Sequence, residues 1–267
     1  MRRDAGLVTR RVRHWAGCLA AAACWGASAA RAQTPPVLRA QHLESVAPVK
    51  VFFPTGAISI AVWDKDSIEA RGIIARGEHF YLAGGVHGVK VGIVDHADAT
   101  PVRPSTLVLY VPRRSQLSVK AVSAAIDARD ASGWFYSVSG PIRLTGTSSS
   151  VDVESMAGDV ALDVVAPWVR ARTGGGRLGI AGAPEDLDAA TVRGTLDVQH
   201  AEVMRGRFAS VEGDIRFSGE PTAGGVFEFS NHAGGVALTL PDSASALVDL
   251  STIVGTIANG FTQVRPA

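Results

Sequence analysis

The densest set of metal-type side chains in this 267-residue chain is His87, Asp95, His96 and Asp98. Imidazoles and carboxylates could hold zinc, but their spacing follows no zinc-site pattern. They also sit in and beside a stretch that reads as a loop, where polar residues are expected. Asp64 and Asp66 could offer oxygens to calcium, yet two carboxylates flanking Lys65 are more simply a turn. Asn231 and His232, with Asp214 one repeat earlier, make the best acid–base candidate, because parallel β-helix enzymes set such residues on one strand face. Against it, Asn231 falls in an internal polar column and a single His at a turn corner usually faces water. Gly174-Gly175-Gly176 could cradle a phosphate, but no Gly-Lys-Ser and no helix start follow. The glycine-rich calcium nonapeptide fails for want of its Asp. There is no H-E-x-x-H and no G-x-S-x-G. No catalytic, cofactor-binding or metal-ligating residue is assigned, and the expectation is a non-enzyme without a cofactor.

The elements that would position any such residues come from one pattern written eight times between about Leu117 and Asn259. Its clearest copies are Val151–Val164, Val169–Ile180 and Leu187–Val198. In twelve numbered positions, apolar residues fall at 1, 3, 10 and 12, Ser, Thr or Asn at 5, and Gly at 8. Position 8 holds Ala124, Gly140, Gly158, Gly176, Gly194, Gly213, Gly234 and Gly255, in steps of 16, 18, 18, 18, 19, 21 and 21 residues. A period near twenty marks a solenoid. Alternation places positions 1, 3 and 5 on one strand face and 10 and 12 on another after a turn. One such unit cannot bury its apolar side, whereas stacked units bury a continuous column. The fold class is therefore all-β: a single-chain parallel β-solenoid of about eight rungs over 117–267, right-handed by the crossover rule. Position 8 calls for positive φ or close backbone approach. Position 5, Ser137, Ser155, Thr173, Thr191, Ser210, Asn231 and Thr252, reads as an internal ladder satisfying turn backbone groups rather than as a hydroxyl-lined site.

Outward positions carry a second pattern. Position 2 runs Asp152, Arg170, Asp188, Arg207, Glu228, opposite in sign on successive rungs, and position 11 pairs Asp127 with Arg143 and Asp197 with Arg216. Stacked in register, like charges would repel at each step, and alternation relieves it.

Residues 1–32 read as a signal peptide: Arg2, Arg3, Arg10, Arg11 and Arg13 precede a small apolar run, and Ala30-Arg31-Ala32 fits a cleavage site before Gln33. That run is too short and Ala-rich for a good membrane span, and no transmembrane span is expected in the mature chain. Cys18 and Cys24 both lie in it, and Ala21-Ala22-Ala23 lacks the Leu of lipoprotein signals, which argues against lipidation at Cys24. The leader takes six of the 26 basic and one of the 25 acidic residues, leaving 20 against 24, a net charge near −4. That balance, with no basic run, excludes nucleic acid as the expected partner and suits a periplasmic or secreted protein. Residues 33–50 read as a linker or arm, and 51–116 as an irregular N-terminal β cap on the first rung, with strands at Ile58–Val62, Ile68–Ile74, His79–Leu82, Val86–Val94 and Thr106–Pro112 around a loop at Asp95–Pro104.

Three features together, TGAISIAVWDKDSIEARG at Thr55–Gly72, the Leu109–Pro112 segment and rungs such as VSGPIRL (Val138–Leu144) and VEGDIRF (Val211–Phe217), resemble the DUF4097 putative-adhesin family. The resemblance spans roughly Val51 to Phe261 and departs from the pattern at Ala124 and at Gly174–Gly176. It implies an exported β-helical protein with an adhesin label, and it supplies no catalytic residues.

The expected function is a structural or adhesive module of the cell envelope whose partner is an envelope protein or polysaccharide. The alternative is a carbohydrate-active β-helix lyase or hydrolase, which needs carboxylates and basic residues gathered in one groove. A third reading is a periplasmic sensor or scaffold whose partner binds the last rung. The oligomeric state is left open.

Overall fold

A computed structural model describes residues 36–95 and 104–260. The signal peptide with Cys18 and Cys24, and also His96 and Asp98, lie outside the described residues. Every regular element described is a strand: β1 (Val37–His42), β2 (Val49–Phe52), β3 (Ala57–Trp63), β4 (Ser67–Ile73), β5 (Glu78–Gly85), β6 (Gly88–Asp95), β7 (Thr106–Pro112), β8 (Gln116–Ala121), β9 (Ala125–Arg129), β10 (Ser132–Ser137), β11 (Ile142–Thr147), β12 (Val151–Ser155), β13 (Val160–Thr173), β14 (Leu178–Thr191), β15 (Leu196–Ser210), β16 (Ile215–Asn231) and β17 (Val236–Thr239).

From β8 onward the chain climbs in parallel register through about seven turns of a β-solenoid. Val119 neighbours Phe135, then Val153, Ala171, Ala189, Phe208 and Phe229 in one column. Ile126, Ile142, Val160, Leu178, Leu196, Ile215 and Val236 form the other. These are the position-3 and position-10 columns predicted from sequence. The central rungs bury their apolar sets completely: Val151, Val153, Val160 and Leu162 are 0–2% exposed, each worth on the order of 1.5–3 kcal/mol, whereas in the last rung Phe227 and Phe229 are half-buried and Val236 is exposed. The longer steps late in the array are absorbed as register shifts between Ile180 and Asp186 and at two places between Gln199 and Arg205.

The position-8 residues explain themselves sterically. A Cβ on Gly158 would lie 2.2 Å from the carbonyl oxygen of Gly140, one on Gly176 2.2 Å from that of Gly158, and one on Gly194 1.8 Å from that of Gly176. Each turn thus sits in the space its neighbour leaves bare, and for these rungs close approach, not positive φ, selects glycine. Position 5 closes the same turn from inside. The Ser155 hydroxyl donates to Gly158 O at 2.8 Å, Thr191 Oγ1 accepts from Gly194 N at 3.0 Å, and Ser210 does both with Gly213. Asn231 Nδ2 donates to Gly213 O and Gly235 O. The ladder reading holds from Ser155 to Asn231; the buried Ser137 hydroxyl has no partner, and Thr252 is exposed outside any strand.

Four features differ from the sequence expectation. First, the 33–50 arm contains β1, which pairs antiparallel with β4. Second, the N-terminal mixed sheet is more regular than an irregular cap. β2 and β3 lie parallel to β8 and β9, with Val51 beside Val119 and Ile58 beside Ile126, and β6 and β7 flank them on the other side, also parallel. Val49, Val51, Phe53, Gly56, Ile58 and Ile60 therefore make a full rung. Its pattern is hidden in sequence because Phe53 replaces the polar position 5, and because the next copy of the pattern lies far along the chain. Beyond this, antiparallel β5 covers β6, and β4 and β1 cover β7. Third, the array is about seven turns rather than eight. The copy at Val248–Asn259 forms no strand; Leu250, Ile253 and Ile257 are exposed, and Gly255 meets no carbonyl of the rung before it. Fourth, the charged columns are in the predicted register, but their ion pairs are selective. Arg170 grips Asp152, Arg207 approaches Glu228 at 3.7 Å, and Asp188 is met by Arg172. At position 11, Asp197 pairs with Arg177 and Arg216 with Asp214.

Candidate binding groove

Outward residues of the second column of strands build a shallow, open concavity. Its floor is made of small side chains: Ala161 on β13, and Gly179 and Ala181 on β14. Rising around them are Asp127 (β9), Arg143 (β11), Asp163 (β13), and Asp197 and Gln199 (β15), with Asp159 and Arg177 at the turn end; the groove measures about 660 Å³. Parallel register stacks these residues over five rungs. Gly179 decides the depth. A Cβ there would meet nothing nearer than Val160 O at 3.9 Å, so packing does not require glycine, and a larger side chain would simply fill the groove.

Electrostatically the groove is half committed. Asp197, only 7% exposed, is held by Arg177 Nη2 at 2.5 Å and by Gln199 Nε2 at 3.0 and 3.1 Å. Burial without partners would be costly for such a carboxylate, and these charge-assisted bonds offset it. Asp159 Oδ1 accepts the backbone N–H of Arg177 at 2.8 Å, and Asp214 accepts that of Gly235 at 3.0 Å in the same way. The Gly-Asp of the rung motif thus has a structural task, tying one turn to the next. Asp127, Arg143 and Asp163 are exposed and, among the described residues, make no ion pair. They offer donors and acceptors along the groove to a polar, polyhydroxylated or amide-bearing ligand.

The residues singled out from sequence are not brought together. His87 Nδ1 contacts Glu44 at 2.9 Å, and Asp95 lies opposite Glu78 at the end of the β5–β6 pair. Among the described residues, no group of three or more His, Cys, Asp or Glu side chains is placed to hold a metal. Asp64 forms a two-pronged pair with Arg113, at 2.7 and 3.4 Å, and the guanidinium holds its carboxyl below the usual range. Asp66 lends its carbonyl to Leu43 N. Both belong to the turn expected there. Asp214 binds Arg216 and the Gly235 N–H, not His232, whose side chain is exposed and whose N–H goes to Ser210 O. The Gly174, Gly175 and Gly176 N–H groups are all taken, by Ser155 O, Met156 O and Thr173 Oγ1, leaving no anion cradle. The groove itself was missed from sequence, although the run of small residues at Ala161, Gly179 and Ala181 on successive outward positions was its available signal.

No family model matches this sequence, and no curated protein matches it either. Solved structures do resemble the fold. The crystal structure of a putative lipid binding protein from Parabacteroides distasonis aligns with a TM-score of 0.51 at 12% identity, covering 77% of this chain and 96% of that one. A putative adhesin from Parabacteroides merdae aligns with a TM-score of 0.51 at 11% identity, covering 76% and 96%. At such identities the likeness is one of architecture: this chain is structurally similar to β-solenoid proteins of those two descriptions.

Proposed function

We propose that this chain is an exported, non-enzymatic scaffold of the cell envelope, adhesin-like in the sense of the DUF4097 resemblance, that holds an envelope polysaccharide or protein against its strand faces. The observation that carries the reading is the open groove over Gly179, lined by Asp127, Arg143 and Asp163 on a rigid parallel stack. Preformed and shallow, with charged side chains set around an apolar floor, it suits a long ligand gripped at several points better than a small one enclosed. The state of Asp197 and Asp159 supports a binding role, since both are tied into the structure by hydrogen bonds. The leader and the A-x-A site support delivery beyond the inner membrane.

The test joins location to capture. Intact mass from the native compartment should begin at Gln33, and a photo-crosslinker placed at Thr145, beside the groove, should capture a glycan or envelope protein in intact cells. Gly179→Leu, which fills the floor, should abolish capture without lowering stability. A chain retaining residues 1–32, or capture indifferent to Gly179→Leu, would overturn the reading.

One observation favours a carbohydrate-active enzyme instead. Asp127, Asp159, Asp163 and Asp197 share the groove with Arg143 and Arg177, the gathering that such an enzyme needs. Turnover of a cell-surface polysaccharide, lost in Asp127→Asn or Asp163→Asn, would decide for it.

A further inference from the structure

The first column of strands presents another outward face, and its N-terminal part departs from the alternation seen from Asp152 to Glu228 in the same face. Lys90 on β6 lies directly beside Lys50 on β2. Lys50 is followed in its column by Ser118 and Trp134, while the parallel column reads Gly92, Phe52, Lys120, Tyr136. Three lysines thus occupy eight outward positions on four rungs with no carboxylate among them. All three are exposed, and among the described residues none makes an ion pair. Directly opposed like charges are unfavourable in a sheet, and further along this face the column Asp152, Arg170, Asp188, Arg207, Glu228 alternates in sign instead.

Aromatic rings share the same patch. Trp134 and Tyr136 stack at 5.6 Å with planes 23° apart, and Lys120 Nζ stands 5.2 Å over the Trp134 ring. Phe52 is 43% exposed. Tyr81, opposite Gly92 on β5, lays its hydroxyl across that glycine, where a Cβ would be 2.8 Å from it. Flat aromatic faces suit the apolar faces of sugar rings, and uncompensated ammonium groups suit anions. The four rungs span about 14 Å, long enough for several sugar residues laid across the strands.

We propose that this face is a binding platform for an acidic polysaccharide of the uronate class, with sugar rings against Phe52, Trp134 and Tyr136 and carboxylates at Lys50, Lys90 and Lys120. The proposal rests on the scaffold reading above and names a ligand for a face that does not include the groove. The Lys90–Lys50 juxtaposition is then the feature a bound polyanion relieves.

The experiment titrates the purified full chain with alginate, a uronate polymer, with neutral dextran as control, at low and at high salt. Alginate should bind and dextran should not, with binding weakening as salt screens the lysines. Lys50→Gln with Lys90→Gln should lose roughly tenfold in affinity and flatten the salt dependence, and Trp134→Ala should lose a similar factor. Should Trp134→Ala lower the thermal midpoint, Lys90→Glu at its exposed position carries the same test. Gly179→Leu should leave alginate binding unchanged. Loss of binding in Gly179→Leu would move the glycan to the groove and overturn the platform while sparing the scaffold reading. Absence of alginate binding, or lysine-dependent retention on phosphatidylglycerol vesicles or oligo(dT) in its place, would overturn the uronate assignment.

Discussion

Arg170 reaches back one rung and holds both carboxylate oxygens of Asp152, Nε at 3.0 Å and Nη2 at 2.5 Å, although Asp188 lies beside it in register on the other side. An arginine between two aspartates has chosen one, and the choice is two-pronged. Arg170→Ala should lower stability by about 0.5–1 kcal/mol. Arg170→Asp should lower it by roughly the same amount again, because it sets three carboxylates in a row. Adding Asp152→Arg should restore more than adding Asp188→Arg. Urea midpoints at low and high salt check this, and equal midpoints for Arg170→Ala and Arg170→Asp at low salt would refute stacking of the column.

Gly175 and Gly176 are adjacent in the chain but differ in what a methyl group meets. At Gly176 it would strike Gly158 O at 2.2 Å, while at Gly175 the nearest atom is Met156 O at 4.0 Å. Gly176→Ala should destabilise by about 2–3 kcal/mol, and Gly175→Ala should stay within about 0.5 kcal/mol. Thermal or urea unfolding of the two single variants decides it, and similar losses would mean that the turns are not nested.

Ser137 and Ser155 occupy equivalent positions one rung apart, yet only Ser155 has a partner. Ser155→Ala should cost about 1 kcal/mol by orphaning Gly158 O, whereas Ser137→Ala should be neutral or stabilising, since it removes a buried unpaired hydroxyl. A loss at Ser137 equal to that at Ser155 would show that the hydroxyl is satisfied in solution.

Tyr81 supplies the pH dependence. Burial of its phenol pushes the pKa above the usual tyrosine value. A folded pKa raised above the unfolded one means that the neutral form's contribution is complete below about pH 10 and is lost as pH rises through the folded value. Alkaline titration at the phenolate absorbance should show a late step that Tyr81→Phe removes, and the variant should hold its thermal midpoint better than the parent at high pH. Superimposable curves for the two proteins would show that the ring is open to water.

Much of this was legible in sequence because a solenoid repeats its packing. Phe135, Val153 and Ala171 could be stacked on paper once the glycine spacing was counted, and so could Asp152, Arg170 and Asp188. What stayed hidden depends on rungs that are distant in the chain. The rung of Val49, Val51, Ile58 and Ile60 finds its neighbours at Val89 and Leu117, and nothing local to it announces either. The groove depends on absence, the missing side chains at Ala161 and Gly179 between taller neighbours, and a reading of charged and hydroxylated residues passes over absences. At Val248–Asn259 the pattern was present and the stacking was not, since a correct motif gains its burial only if the adjoining rung accepts it.

The placement of β2 and β3 between β6–β7 and β8–β9 has a mechanical consequence. In a solenoid laid down strictly in chain order, a pull on either end peels rungs away singly, each strand pair opening like a zip. Here the first rung in the chain is an interior rung in space, bonded in parallel on both sides. Traction applied through β1 would reach β2 only after stripping β1 from β4, and would then have to shear β2 and β3 from two neighbours at once. Traction from the other end meets β17 and β16 first and can unpeel them one by one. The molecule thus carries a fastened end and a yielding end, an asymmetry of grip that follows from strand order alone.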